Sequence, residues 1–132
     1  MIMGLDMSVY ATDGEILTND NWDIPKKEYY WRKANQIHNW FVKNVQEGVD
    51  DCGLYEVSIS QIKSLKKTVA TVIRDHMKAA KLLPTSNGFF FGGLDYDEWY
   101  WEDVNTTLTY VNEMLQKHKD NPNTKFFYAS SW

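Results

Sequence analysis

The apolar and polar positions of the chain change period several times, and each change marks an element. Leu5 to Ala11 alternates, with Leu5, Met7 and Val9 on one face, which predicts a strand. Asp13-Gly14 turns the chain, and Asn19 to Pro25 reads as a polar loop. From Lys26 or Lys27 to about Gln46 the apolar residues Trp31, Ala34, Ile37, His38, Phe41 and Val45 recur at spacings of three and four. That spacing predicts a first helix, with Pro25 suited to its start and Arg32, Asn35 and Asn39 forming a separate polar row.

Gly48 to Gly53 is loop, and Tyr55-Glu56-Val57 predicts a short strand. A second helix is expected from a Ser58 or Ser60 cap to Leu83, where Pro84 stops it. Its buried face is Ile62, Leu65, Val69, Val72 or Ile73, and Met77. A third helix starts near Tyr96 or Asp97, with Trp101, Val104, Leu108, Val111 and Leu115 as its core stripe. The turn Asp120-Asn121-Pro122-Asn123 leads to a last strand over Lys125 to Ala129. The expectation is α+β: three helices packed with a small, mostly antiparallel sheet, in one domain over residues 1–132.

Length and composition fit that expectation. A chain of 132 residues can bury roughly two-thirds of its unfolded surface, enough for a core without disulfides or metal. The single cysteine, Cys52, excludes an internal disulfide and favours a reducing, cytoplasmic compartment. Its neighbours Asp50 and Asp51 would raise a thiol pKa, so it is a poor nucleophile. No segment approaches the roughly 20 apolar residues of a membrane span, and a signal peptide is not expected from the first residues, which lack a basic start and are broken by Asp6. The net charge of −4 disfavours nucleic acid, since the cationic row Lys63, Lys66, Lys67, Arg74, Lys78 and Lys81 fits a solvated helix face.

Enzyme signatures are missing. His38, His76 and His118 stand alone, without the spacing of a metal site, so neither metal nor cofactor is expected. The glycines near 88 and 92 are not followed by the lysine of a phosphate-binding loop, and no nucleophile elbow is present. Asp95, Asp97, Glu98, Glu102 and Asp103 suit a helix N-terminus. Glu98 and Glu102, four apart, offer the alternative of paired carboxylates for acid–base work.

The unusual feature is aromatic: six Trp, eight Tyr and six Phe make 15% of the chain, more than a small core needs. Trp31, Arg32, Asn35 and His38 of the first predicted helix, Thr85, Asn87 and Phe90 of the loop after the second, and Tyr96, Glu98 and Trp99 form a candidate ligand-binding set. Flat rings stack on bases, while Arg and Asn supply donors for phosphate or base edges. The competing reading is an aromatic core clamping the loop, with His38 as a hydrogen-bonded core histidine.

These same residues carry a resemblance. Met3-Gly4-Leu5-Asp6-Met7, the run from Tyr30 to Phe41, Leu82-Leu83-Pro84-Thr85, Gly88-Phe89-Phe90-Phe91-Gly92 and Tyr96-Asp97-Glu98-Trp99-Tyr100 resemble a family of small bacteriophage and prophage proteins. The resemblance implies an accessory protein of host takeover or counter-defence, acting in the bacterial cytoplasm. It carries no catalytic residues across. Three functions follow in order: sequestration of a nucleotide-type ligand, with a homodimer closing the pocket; inhibition of a bacterial defence protein through exposed aromatics such as Trp40 or Trp99; and a small hydrolase using Glu98 or Asp97.

Overall fold

The computed structural model describes residues 4–18, 20–21, 26–85 and 95–132. Four strands form one antiparallel sheet: β1 (Asp6–Thr12), β2 (Lys27–Arg32), β3 (Leu54–Val57) and β4 (Lys125–Ser131), in the order β2-β1-β4-β3. Helices α1 (Asn35–Asn44), α2 (Ile59–Arg74), the short α3 (Ala79–Leu82) and α4 (Glu98–Asp120) complete an α+β arrangement. No helix among the described residues is long and apolar enough to cross a membrane.

Alternation builds the sheet as expected. Met7 pairs with Trp31 and Ser130, and Val9 with Tyr29 and Tyr128, so the buried side chains of neighbouring strands share one face. On that face the Phe41 ring of α1 stacks on Tyr128, 3.9 Å between centroids and 5° between planes. Tyr110 of α4 meets Trp31 edge-on at 5.0 Å and Tyr29 at 5.4 Å. Each such pair adds about 0.5–1.5 kcal/mol beyond the area it buries. Much of the aromatic excess is therefore core.

The first predicted helix is corrected at its start. Residues 27–32 form a strand in which Tyr29 and Trp31 are buried while Glu28, Tyr30 and Arg32 are exposed, a period of two. Lys33 then adopts φ 56°, the left-handed region, and its N–H donates to the Leu5 carbonyl at 2.7 Å. The strand ends there, and α1 begins two residues later. Trp31 consequently belongs to the sheet and not to the helix carrying His38.

The second helix is corrected at its end. Its start is a complete capping box, Gln61 N–H donating to Ser58 Oγ at 3.1 Å and Ser58 N–H to Gln61 Oε1 at 2.8 Å. It stops at Arg74, because Asp75 is extended and its carboxylate accepts the Met77 N–H to start a short 3₁₀ turn, His76–Lys78. The break takes Met77 off the buried face and leaves it 93% exposed. The cationic side chains from Lys63 to Lys81 are exposed, a solvated face as expected. The third predicted helix starts where its acidic residues indicated, with the Asp97 carboxylate accepting the N–H groups of Trp99 and Tyr100.

Candidate functional site

The end of β2, the start of α1 and the first turns of α4 meet around a concavity of about 310 Å³. Arg32, Lys33, Asn35 and Gln36 line one side; Asp95, Asp97, Trp99, Tyr100 and Asp103 line the other, with Thr85 between. The volume lies at the small end of the range for ligand pockets, roughly 300–1,000 Å³. Strand alternation turns Arg32 outward, whereas Asn35 and Gln36, in the first turn of α1, are buried. Two hydrogen bonds fix Tyr100 in the pocket lining. Tyr100 OH donates to the Leu83 carbonyl at 2.7 Å, and Gln36 Nε2 donates to the Tyr100 carbonyl at 3.3 Å.

Four of the residues expected from the sequence therefore converge: Arg32, Asn35, Thr85 and Trp99. Tyr96 stands beside them, its hydroxyl accepting the Thr85 N–H at 3.4 Å and its ring 4.9 Å from that of Tyr100. Trp99 is 66% exposed, an open aromatic face at the mouth. Asn87 and Phe90 lie outside the described residues.

Three expected residues stand elsewhere. Trp31 is 3% exposed beneath the pocket, its indole N–H given to Thr107 Oγ1 at 2.8 Å, so its ring is core. Glu98 is exposed on the opening turn of α4 and does not line the pocket. His38 is 2% exposed in the core, where Nδ1 lies 2.6 Å from Tyr128 OH and Nε2 2.9 Å from Asp50 Oδ1. A carboxylate can only accept, so Nε2 carries the proton and Nδ1 accepts the phenolic O–H. Burial lowers the His38 pKa, and the hydrogen bond and charge of Asp50 partly oppose that shift. Burial also holds the Tyr128 hydroxyl well above its usual pKa, so it stays a donor. This cluster ties α1 to β4 and to the loop before β3. His38 and Tyr128 are buried within it, out of reach of a ligand.

Lys33, Gln36, Tyr100 and Asp103 line the pocket without having been singled out for it in the sequence. Gln36 is buried on α1 without a pattern to mark it, and Asp103 stands in the acidic run without a sign that sets it apart from its neighbours. Burial raises the Asp103 carboxyl pKa to about 6, with the charges of Glu102 and Asp97 adding to it and a hydrogen bond from Gln36 opposing it. The perturbed carboxyl is thus Asp103, a member of the acidic run and the residue next to Glu102 of the Glu98–Glu102 pair. Asp97 is engaged as the helix cap.

A larger groove of about 860 Å³ runs over the other face of the sheet, where Leu17 also packs. Its charged lining among the described residues is Asp6 and Glu28, with no lysine or arginine among them. Ser8 Oγ donates to Glu28 Oε1 at 2.6 Å, and Tyr30 OH donates to Asp6. Size favours this groove. Chemistry favours the smaller pocket, because an anionic ligand needs a guanidinium and, among the described residues, Arg32 lines the smaller pocket and not the groove. Among the described residues no group of three or more His, Cys, Asp or Glu could hold a metal ion.

The chain matches no protein-family model, no curated protein and no solved structure. Its functional reading rests on the site.

Proposed function

We propose that the protein binds a small nucleotide-type ligand in the Arg32–Asn35–Thr85–Trp99 pocket and sequesters it without chemical change. The observation that carries this reading is the convergence of a guanidinium, a buried carboxamide and an exposed indole on one concavity. Arg32 takes the phosphate, Trp99 stacks on the base, and Asn35 and Thr85 orient the ligand. A stacked base contributes about 1–3 kcal/mol. Because Trp99 leaves one side open, a second copy of the chain would complete the enclosure that tight capture requires. The phage-accessory setting implied by the sequence resemblance accords with sequestration of a signalling nucleotide.

Thermal melting against linear and cyclic nucleotides tests the reading. A ligand at about 100 times its dissociation constant adds roughly 2.7 kcal/mol, a shift of several degrees. Arg32→Ala should abolish the shift and leave the unliganded melt unchanged. A panel flat for the wild type would sink the proposal.

The exposure of Trp99 at 66%, with Tyr96 at 41% and Met77 at 93%, favours a second reading: an inhibitor docking these side chains on a defence protein. Trp40, 6% exposed, takes no part in such a surface. A flat nucleotide panel with capture of one bacterial partner, lost in Trp99→Ala, would support this alternative.

A further inference from the structure

The carboxylates of the pocket differ in what already occupies them. Asp97 accepts two backbone N–H groups as the cap of α4, and Asp95 is exposed to water. Asp103 is half-buried and enters no ion pair among the described residues. Its side-chain partner is the Gln36 carboxamide, which is 3% exposed and anchored to the Tyr100 carbonyl at 3.3 Å. Its backbone is fixed as well, since Thr107 Oγ1 donates to the Asp103 carbonyl at 2.7 Å. Burial and two neighbouring carboxylates raise its pKa to about 6, with no cation compensating. An oriented but uncompensated carboxylate in a pocket is a recognition group awaiting donors.

Building on the nucleotide reading above, we propose that Asp103 recognises two adjacent N–H donors on the ligand's base, the pattern of a guanine Watson–Crick edge. Arg32 and Lys33, on the facing wall, then hold the phosphate. An ionised carboxylate accepts through both oxygens and donates nothing. Guanine presents its ring N1–H beside its exocyclic amino group, so both oxygens are matched. Adenine and cytosine place a ring-nitrogen acceptor beside their amino group, and an ionised Asp103 repels that lone pair. Hypoxanthine keeps the ring N–H and lacks the amine, so it makes half the contact. The single hydrogen bond from Gln36 leaves acceptor capacity on the carboxylate for both donors.

Calorimetric titration at pH 7.5 with GMP, IMP, AMP and ribose 5-phosphate tests this on wild-type protein and on Asp103→Asn. Wild type should bind GMP about tenfold or more tighter than IMP, and AMP and ribose 5-phosphate more weakly still. Asp103→Asn should lose about tenfold to a hundredfold for GMP and keep its affinity for ribose 5-phosphate. IMP or AMP binding as tightly as GMP, or full GMP affinity in Asp103→Asn, would overturn the role of Asp103 and leave the nucleotide pocket standing. Wild type binding none of the four would overturn both. The GMP-to-IMP comparison uses unaltered protein, so a folding defect in the variant cannot mask the answer.

Discussion

The indole Nε1 of Trp31 donates to Thr107 Oγ1 at 2.8 Å, and the Thr107 hydroxyl in turn donates to the Asp103 carbonyl at 2.7 Å. One hydroxyl thereby couples strand β2 to the helix that brings Trp99, Tyr100 and Asp103 to the pocket. Arg32 follows Trp31 in the strand, so the bond that buries Trp31 also sets where the neighbouring guanidinium emerges. Core and site are built from adjacent residues on opposite faces of one strand.

Thr107→Val tests this coupling. The valine keeps the shape and removes the acceptor, which leaves the fully buried Trp31 N–H unpaired. A buried donor without a partner costs about 1–3 kcal/mol. Urea denaturation should show that loss, with Thr107→Ser retaining most of the stability. A valine variant within about 0.5 kcal/mol of wild type would show that the bond does not hold the layers.

Asp103 should weigh against stability at neutral pH. Its folded pKa, about 6, is raised above the ordinary 3.8. The folded state therefore binds more protons between those values, and the cost of the charged form is present above about 6 and relieved as pH falls toward 3.8. Discounted for its partial exposure, Asp103→Asn should gain about 1–2 kcal/mol at pH 7.5. The gain should shrink steadily below pH 6. A destabilised Asp103→Asn at pH 7.5 would mean that the carboxylate is a structural partner after all.

His38 acts with the opposite sign. Its folded pKa is lowered from 6.5, so the unfolded chain takes up the proton first as pH falls. The stability contributed by neutral His38 is present above about 6.5 and is lost on going down toward its folded pKa. In the Asp103→Asn background, which silences the opposing carboxyl, stability should fall between pH 7.5 and 5.5. His38→Gln in that same background should flatten the fall. An equal slope in both proteins would place the titration elsewhere.

Which parts were legible in the sequence follows from which signals were local. Met7, Val9 and the acidic start of α4 are marked by short-range patterns, and the structure places them accordingly. Strand β2 was hidden because Trp31, Ala34, Ile37, His38 and Phe41 also satisfy helical spacing. Tyr29 and Trp31 carried the competing period of two, and nothing in the sequence marks Lys33 for a left-handed φ of 56°. The break at Asp75 had a local sign, since Asp is a favoured cap, but the apolar run continues past it. Arg32, Asn35, Thr85 and Trp99 were readable by residue type alone. The burial of Asp103 depends on Gln36 arriving from another helix, which no local pattern encodes.

The most direct test of the nucleotide pocket follows the indole N–H signals of ¹⁵N-labelled protein during titration with GMP, the Trp99 signal being assigned by Trp99→Phe. Trp99 is 66% exposed at the pocket mouth, whereas Trp31 is 3% exposed and Trp40 6%. The account predicts a saturable shift of the Trp99 signal, with those of Trp31 and Trp40 little changed and the response abolished by Arg32→Ala. A Trp99 signal that stays fixed while GMP binds, or that moves equally in Arg32→Ala, would contradict it.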